Sequence, residues 1–228
     1  MDHYVISSKL KRVIYGLIGV GVVALVWAVA NIFMAHDDHH HHVAVTRLWS
    51  NILIDGFFFF GIAATATFFL AIQYASEAGW AVVLKRILEA LGSFMPIGGV
   101  ILLIVFLGGA THMHHLWHWM DPEVIDPASD HYDEIIAGKS PYLNSIFFAI
   151  RQILFIGLWV FFWRRLRKRS LEEDLGYDRS RHFKNVRDAA IFLVIFGYGI
   201  STFVPWDWIM SIDTHWFSTL FGWYVFSG

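Results

Sequence analysis

The sequence of 228 residues contains no cysteine. This excludes a disulfide framework, an iron–sulfur cluster held by the chain's own thiolates, and a covalently attached haem. Charge is scarce as well. Asp, Glu, Lys and Arg make up 16% of the residues, where about a quarter is usual in soluble proteins. The net charge is −2, so the chain lacks the basic balance that nucleic-acid binding draws on. What it has instead is apolar surface. Hydrophobic residues reach 57%, with 11 Trp, 8 Tyr and 21 Phe. That composition excludes a soluble enzyme and a disordered chain, and indicates an all-α, polytopic transmembrane helical bundle.

Crossing a membrane takes about 20 mostly apolar residues, because the hydrocarbon is roughly 30 Å thick and a helix rises 1.5 Å per residue. Five blocks qualify: Val13–Met34, Ile52–Tyr74, Ile87–Gly109, Tyr142–Trp163 and Ala189–Met210. A sixth opens at Trp216 and stops at Gly228. It is too short to span, and predicts further helices beyond the end of this sequence. The 228 residues therefore read as one transmembrane domain, incomplete at its C-terminus. The first block is too long for a signal peptide, whose apolar core is about 7–15 residues.

Lys and Arg set the orientation. Fourteen of them fall in the N-terminal segment, the second-to-third connection and the fourth-to-fifth connection, against Arg47 and Lys139 on the other side. This predicts a cytoplasmic N-terminus and outward-facing first and third loops. Within the basic connection, Ser170 and Glu173 have capping-box spacing, which predicts a short surface helix with Leu171 and Leu175 at the lipid boundary.

Arg151 is the sharpest signal. It lies nine positions after Tyr142 in the fourth block, with Gln152 beside it. A charge at the bilayer centre costs at least about 2.5–3.5 kcal/mol on insertion scales. It must therefore face protein, water or an anionic partner. Proton-path function and a purely structural ion pair both satisfy this. Asp55, in the second block, is the expected partner. Glu89 has Lys85 and Arg86 at i−4 and i−3, the spacing of an interfacial charge pair. Pro96, Gly98 and Gly99 predict a helix break inside the third block. Such a break can build a binding site or simply a packing kink.

Histidine clusters in two places, His36 with His39–His42 and the set His112, His114, His115 and His118. The first is read as a solvated tract. The second lies at the end of the third block, where hydrogen bonding or partner contact is the expected role, and no metal site is assigned. Ala137 to Ser140 falls short of a phosphate-binding loop, because Asp133 stands where the earlier glycine belongs.

One stretch carries a family resemblance. Asp207, Trp208, Met210, Ser211, His215, Trp216, Phe217, Ser218 and Thr219 fit the pattern D-W-x-M-S-x-x-x-H-W-F/Y-S-T. With His118 to Pro122 and Ala137 to Asn144, the chain resembles the F subunit of bacterial alternative complex III. That family is related to the NrfD-like membrane subunits of polysulfide reductases. Residues 213 and 214 are Asp and Thr here, where relatives often carry a Glu-Pro-like pair.

The resemblance implies an inner-membrane subunit of a quinol:cytochrome c or quinol:oxidase oxidoreductase. The subunit is structural and proton-conducting rather than itself catalytic. No cofactor is bound covalently. Quinol, such as menaquinol, binds in the complex, while haem c and iron–sulfur clusters sit in partner chains. A paralogous NrfD-like subunit and lipids are further partners. Asp55, Arg151, Asp207, Asp213 and His215 are the proton-path candidates, of which Asp207, Asp213 and His215 fall in the matching stretch. Two other functions fit the residues: a secondary transporter or channel-like bundle, and a quinone-binding redox subunit with its own site.

Overall fold

The structure, a computed structural model, describes residues 6–34, 37–176 and 178–227. His36 and Gly228 lie outside the described residues. Of the described residues 81% are helical, and none is in a strand. Among the described residues, five helical stretches are long and apolar enough to cross a membrane: Ser8–Met34, Asp38–Ala75, Gly79–Ala110, Ser145–Glu173 and Arg179–Ile212. They point to a multi-pass membrane protein. The chain divides into two compact units, Met1–Asn51 and Ile52–Gly228.

The first unit holds helix α1 (Ser8–Met34) and the opening turns of α2 (Asp38–Ala75). No residue of α1 is buried. An apolar helix in lipid needs no protein cover, because the acyl chains are as apolar as leucine. The helix α2 starts well before the expected Ile52. The Asp37 carboxylate accepts from the His40 N–H at 2.7 Å and caps this end. His39–His42, expected in a loop, are therefore helical.

The second unit contains the core. The third span divides at Ser93–Phe94, ahead of the expected Pro96–Gly99, into α3 (Val82–Gly92) and α4 (Met95–Ala110). Pro96 sits in the first turn of α4, where its missing N–H costs nothing. Gly98 and Gly99 lie inside α4 and do not interrupt it. Their role is close approach: a Cβ on Gly99 would lie 2.5 Å from Ile156 Cγ2, and one on Gly98 would lie 3.0 Å from Phe60. Gly92 likewise admits the Trp163 indole. The break is packed with side chains from neighbouring helices, as a kink is.

Beyond α4 the chain makes short turns and a one-and-a-half-turn helix, α5 (Glu134–Lys139), capped by Asp133. Asn144 then caps α6 (Ser145–Glu173). This helix runs ten residues past the expected Trp163. Ser170 is inside it and fully buried, so the proposed surface helix and its capping box do not exist. Arg, Lys, Leu and Glu are good helix formers, and here they also bond across to neighbouring helices. Asp178 caps α7 (Arg179–Tyr198), ten residues before the expected Ala189.

A π-helical stretch, Gly199–Ile209, continues α7. Pro205 explains the widening, since its ring and missing N–H are incompatible with a regular ladder to residue 201. Ser201 and Thr202 hydroxyls donate to the carbonyls of Gly197 and Tyr198, each at 2.6 Å. They partner backbone acceptors beside the distortion, as a lipid environment demands. The expected start at Trp216 is a turn instead, and α8 begins at Phe221 (Phe221–Ser227).

Aromatic rings fill the centre. Phe60 stacks on Trp159 at 5.9 Å, and Trp159 meets Phe196 at 4.8 Å. At the end where the 110–144 segment lies, Trp117 and Trp119 are buried against Phe148. That segment, expected as an outward-facing loop, buries both tryptophans against the core.

Candidate functional site

The site is built where α6 meets the π-helical stretch. Arg151 stands six positions after the first residue of α6, about 9 Å along the axis. That is nearer the helix start than its middle. Asp207 lies on the π-helical stretch and is completely buried; Arg151 is 7% exposed. The guanidinium forks onto the carboxylate, Nε to Oδ2 at 2.8 Å and Nη2 to Oδ1 at 3.0 Å. Its Nη1 donates to the Tyr142 carbonyl at 3.1 Å. The Tyr142 and Phe147 rings lie 3.9 and 4.3 Å from the guanidinium carbon. Gln152 Nε2 approaches Asp207 Oδ2 at 3.4 Å. The Gln152 Oε1 atom is buried with no hydrogen-bond partner among the described residues. The Ser211 hydroxyl donates to the Asp207 carbonyl.

This geometry corrects the expected pairing. The carboxylate partner of Arg151 is Asp207, while Asp55 is exposed on α2. Asp213 and His215 are also exposed and stand apart from the pair. His215 Nε2 lies 2.6 Å from the Asp133 carboxylate, a surface contact. Asp133 is held below the usual carboxylate range chiefly by the Ile136 N–H, with burial opposing and His215 adding to the lowering. Of the five proton-path candidates, Arg151 and Asp207 form the buried pair, while the exposed Asp213 Oδ1 accepts from the His215 N–H at 3.3 Å.

The histidine set also separates. His114 is buried; its Nδ1 accepts from the Leu116 N–H at 3.3 Å, so Nε2 carries the proton it donates to the Val105 carbonyl at 2.9 Å. Burial lowers its pKa. His112, His115 and His118 remain at the surface around the Asp121 carboxylate, at 3.5, 3.1 and 3.4 Å. The segment from His114 to His118 is not a continuous helix, so the i, i+4 spacing of these two residues does not place them on one helix face.

A second charge network occupies the opposite, arginine-rich end. Arg86 bonds to Glu89, Asp174 and Ser170. Glu89 is 2% exposed rather than interfacial. Lys85 pairs with Glu173 at 2.9 Å, not with Glu89. Asp188 collects Arg165 at 2.6 Å, Arg169 at 2.7 Å and Arg187 at 3.0 Å. Asp188 escaped the sequence reading, which assigned the basic connection only a short surface helix. Its signal was the i, i+4 pair Arg165 and Arg169 on one face of an extended α6.

Two buried ion-pair centres in an all-helical, membrane-type bundle define the class of the molecule. Compared with known protein families and with curated proteins, the sequence matches none.

Proposed function

We propose that this chain is an integral subunit of a quinol-oxidising respiratory complex of the alternative complex III type, in the bacterial cytoplasmic membrane. Its N-terminus and arginine-rich end are cytoplasmic. It holds the assembly together and carries protons at the Arg151–Asp207 pair. The single observation behind this reading is that pair: the carboxylate of the family-like D-W-x-M-S stretch is forked onto a guanidinium inside the bundle.

The chemistry follows from the two groups. Arginine keeps its proton, so any proton exchange occurs at Asp207. A proton arriving there removes the carboxylate charge and loosens the fork. Arg151 is then an unpaired cation, held by the Tyr142 carbonyl and ring. Loss of the proton restores the pair. Access is supported by a cavity of about 260 Å³ lined by Tyr142, Trp206 and Ser211, which also surround the pair, and by Lys139 and Thr214. With no cysteine in the chain, haem c and clusters belong to partner chains, including those bound beside a paralogous NrfD-like subunit.

The test starts from isolation by a tag on this chain. Haem- and cluster-bearing chains are expected to co-purify, whereas a clean homo-oligomer favours a transporter or channel. In vesicles containing the complex, Asp207→Asn is expected to lower the proton-to-electron ratio with haem content unchanged. An unchanged ratio removes the proton role. A quinone site within this chain is the second reading, favoured by an apolar cleft of about 820 Å³ bordered by Phe57, Phe60, Trp159, Phe203 and Trp208. Quinone extracted from the isolated chain is its test.

A further inference from the structure

The arginines of α6 divide into two sets. Arg165 and Arg169 turn toward α7 and are neutralised by Asp188. Arg164, Arg167 and Lys168 turn elsewhere and have no carboxylate partner among the described residues. They line a concavity of about 390 Å³ with Trp163, Leu171 and Leu175. The Arg167 guanidinium lies 5.4 Å from the Trp163 ring centre. Leu175 is 84% exposed and Leu171 is 49% exposed. The carboxylate in the lining, Glu172, has Arg181 Nε at 3.9 Å.

Position along the helix decides what such a surface meets. Trp163 lies about 27 Å along α6 from Ser145, close to the roughly 30 Å thickness of the hydrocarbon. The three cations therefore stand where acyl chains give way to headgroups. Before that level, α6 exposes Ile153, Leu154, Gly157 and Phe161. One helix thus offers an apolar track, an aromatic ring and then three unneutralised cations. Arg forks match phosphate oxygens, and an ammonium adds a point charge.

We infer that the Arg164–Arg167–Lys168 face of α6 binds the phosphate of an anionic membrane phospholipid, with the acyl chains along the exposed side of the same helix. The charge sets the lipid class, and the apolar flanks set its depth. This site is separate from the Arg151–Asp207 pair, and the inference needs only that α6 spans a bilayer.

The intact chain, with any chains that co-purify, is placed in phosphatidylcholine nanodiscs with and without phosphatidylglycerol, and retained lipid is counted by native mass spectrometry. Each cation at the surface is worth about fivefold in binding, so Arg164→Gln/Arg167→Gln/Lys168→Gln should weaken phosphatidylglycerol retention on the order of 100-fold. Arg164→Lys/Arg167→Lys, which keeps the charge, should retain most of it. Lys184→Gln, a charge removed from α7 at the same end, should have at most about the single-charge effect. Equal retention by the triple variant and the parent chain overturns the inference. So does displacement of the lipid by inorganic phosphate, which marks a free-anion site, or by polyglutamate, which marks a protein partner. All the substituted residues are half-buried or exposed, and unchanged thermal unfolding in phosphatidylcholine alone checks that the variants fold.

Discussion

Removing one partner of the Arg151–Asp207 pair should cost far more than removing both. Arg151→Met keeps the length of the stem and deletes the guanidinium. It strands a carboxylate whose side chain is completely buried, and it loses the bond to the Tyr142 carbonyl. Stranding a buried charge costs about 3–5 kcal/mol. For a chain of this size that corresponds to roughly 6–20 °C in unfolding temperature. Asp207→Asn strands the guanidinium instead and should cost a similar amount, less whatever the stacked Tyr142 and Phe147 rings return. In the double variant neither charge remains. The new amide at 207 also faces Gln152, whose Oε1 has no partner in the parent site. A donor placed there is expected to offset part of the loss, so the double variant should unfold well above the sum of the single losses. The assay is thermal unfolding in one detergent across the four members of the cycle. Costs that add within about 0.5 kcal/mol would show that the two residues are independent, and the ion-pair reasoning would then be wrong.

Two further effects separate packing from charge. Gly99→Ala places a methyl 2.5 Å from Ile156 Cγ2, and overpacking of this kind costs about 1–3 kcal/mol. Gly61→Ala meets nothing within 4 Å and should be neutral or stabilising, by up to about 1 kcal/mol; equal unfolding temperatures for the two variants would refute the close α4–α6 approach. His114 titrates below its ordinary value of 6.5 because burial opposes its charged form. Its contribution is therefore fully present above the unfolded value and is lost as the pH falls through the folded one. His114→Gln should flatten the fall in unfolding temperature on acidification below about pH 6.5, and an unchanged slope would assign that fall to other groups.

The spans were legible because lipid imposes a rule that can be read locally. An apolar block of sufficient length has few alternatives to a helix. The need for something to hold Arg151 was legible for the same reason, from cost alone. Its partner was not. Asp207 is 56 positions away, and from charge and depth along the sequence Asp55 looked equally suitable. The choice is made by rotation about two helix axes, where α2 turns Asp55 outward and the π-helical stretch turns Asp207 inward. Composition also misjudged both ends. His114 was expected to hydrogen-bond or meet a partner at the end of the third block, yet the segment carrying it folds onto Phe148 and Trp208. The basic connection was expected to carry a short surface helix, yet Asp188 draws Arg165, Arg169 and Arg187 into the fold. In both places a polar residue paired by its tertiary neighbours has the same local sequence as one paired by water.

The two charge centres also limit what the proposed proton role can be. Gln152 and Trp163 are eleven residues apart on α6, about 16 Å along its axis. The buried side chains facing that interval include Ile156, Trp159, Phe60, Phe196 and Met95. The Trp159 indole N–H has no acceptor among the described residues, and the nearby Thr67 hydroxyl already donates to its own helix at the Ala63 carbonyl. A proton relay needs successive groups within about 3 Å of one another. These side chains provide none. The Arg151–Asp207 pair therefore has no side-chain relay to the arginine-rich network among the described residues, whereas Tyr142, Trp206 and Ser211 beside it line a cavity. If Asp207 carries protons as proposed, exchange confined to one side of the bundle is expected in this conformation. Transfer to the other side requires rearrangement of the aromatic layer, and the π-helical stretch that carries Asp207 is the element whose hydrogen-bond pattern departs from that of a regular helix.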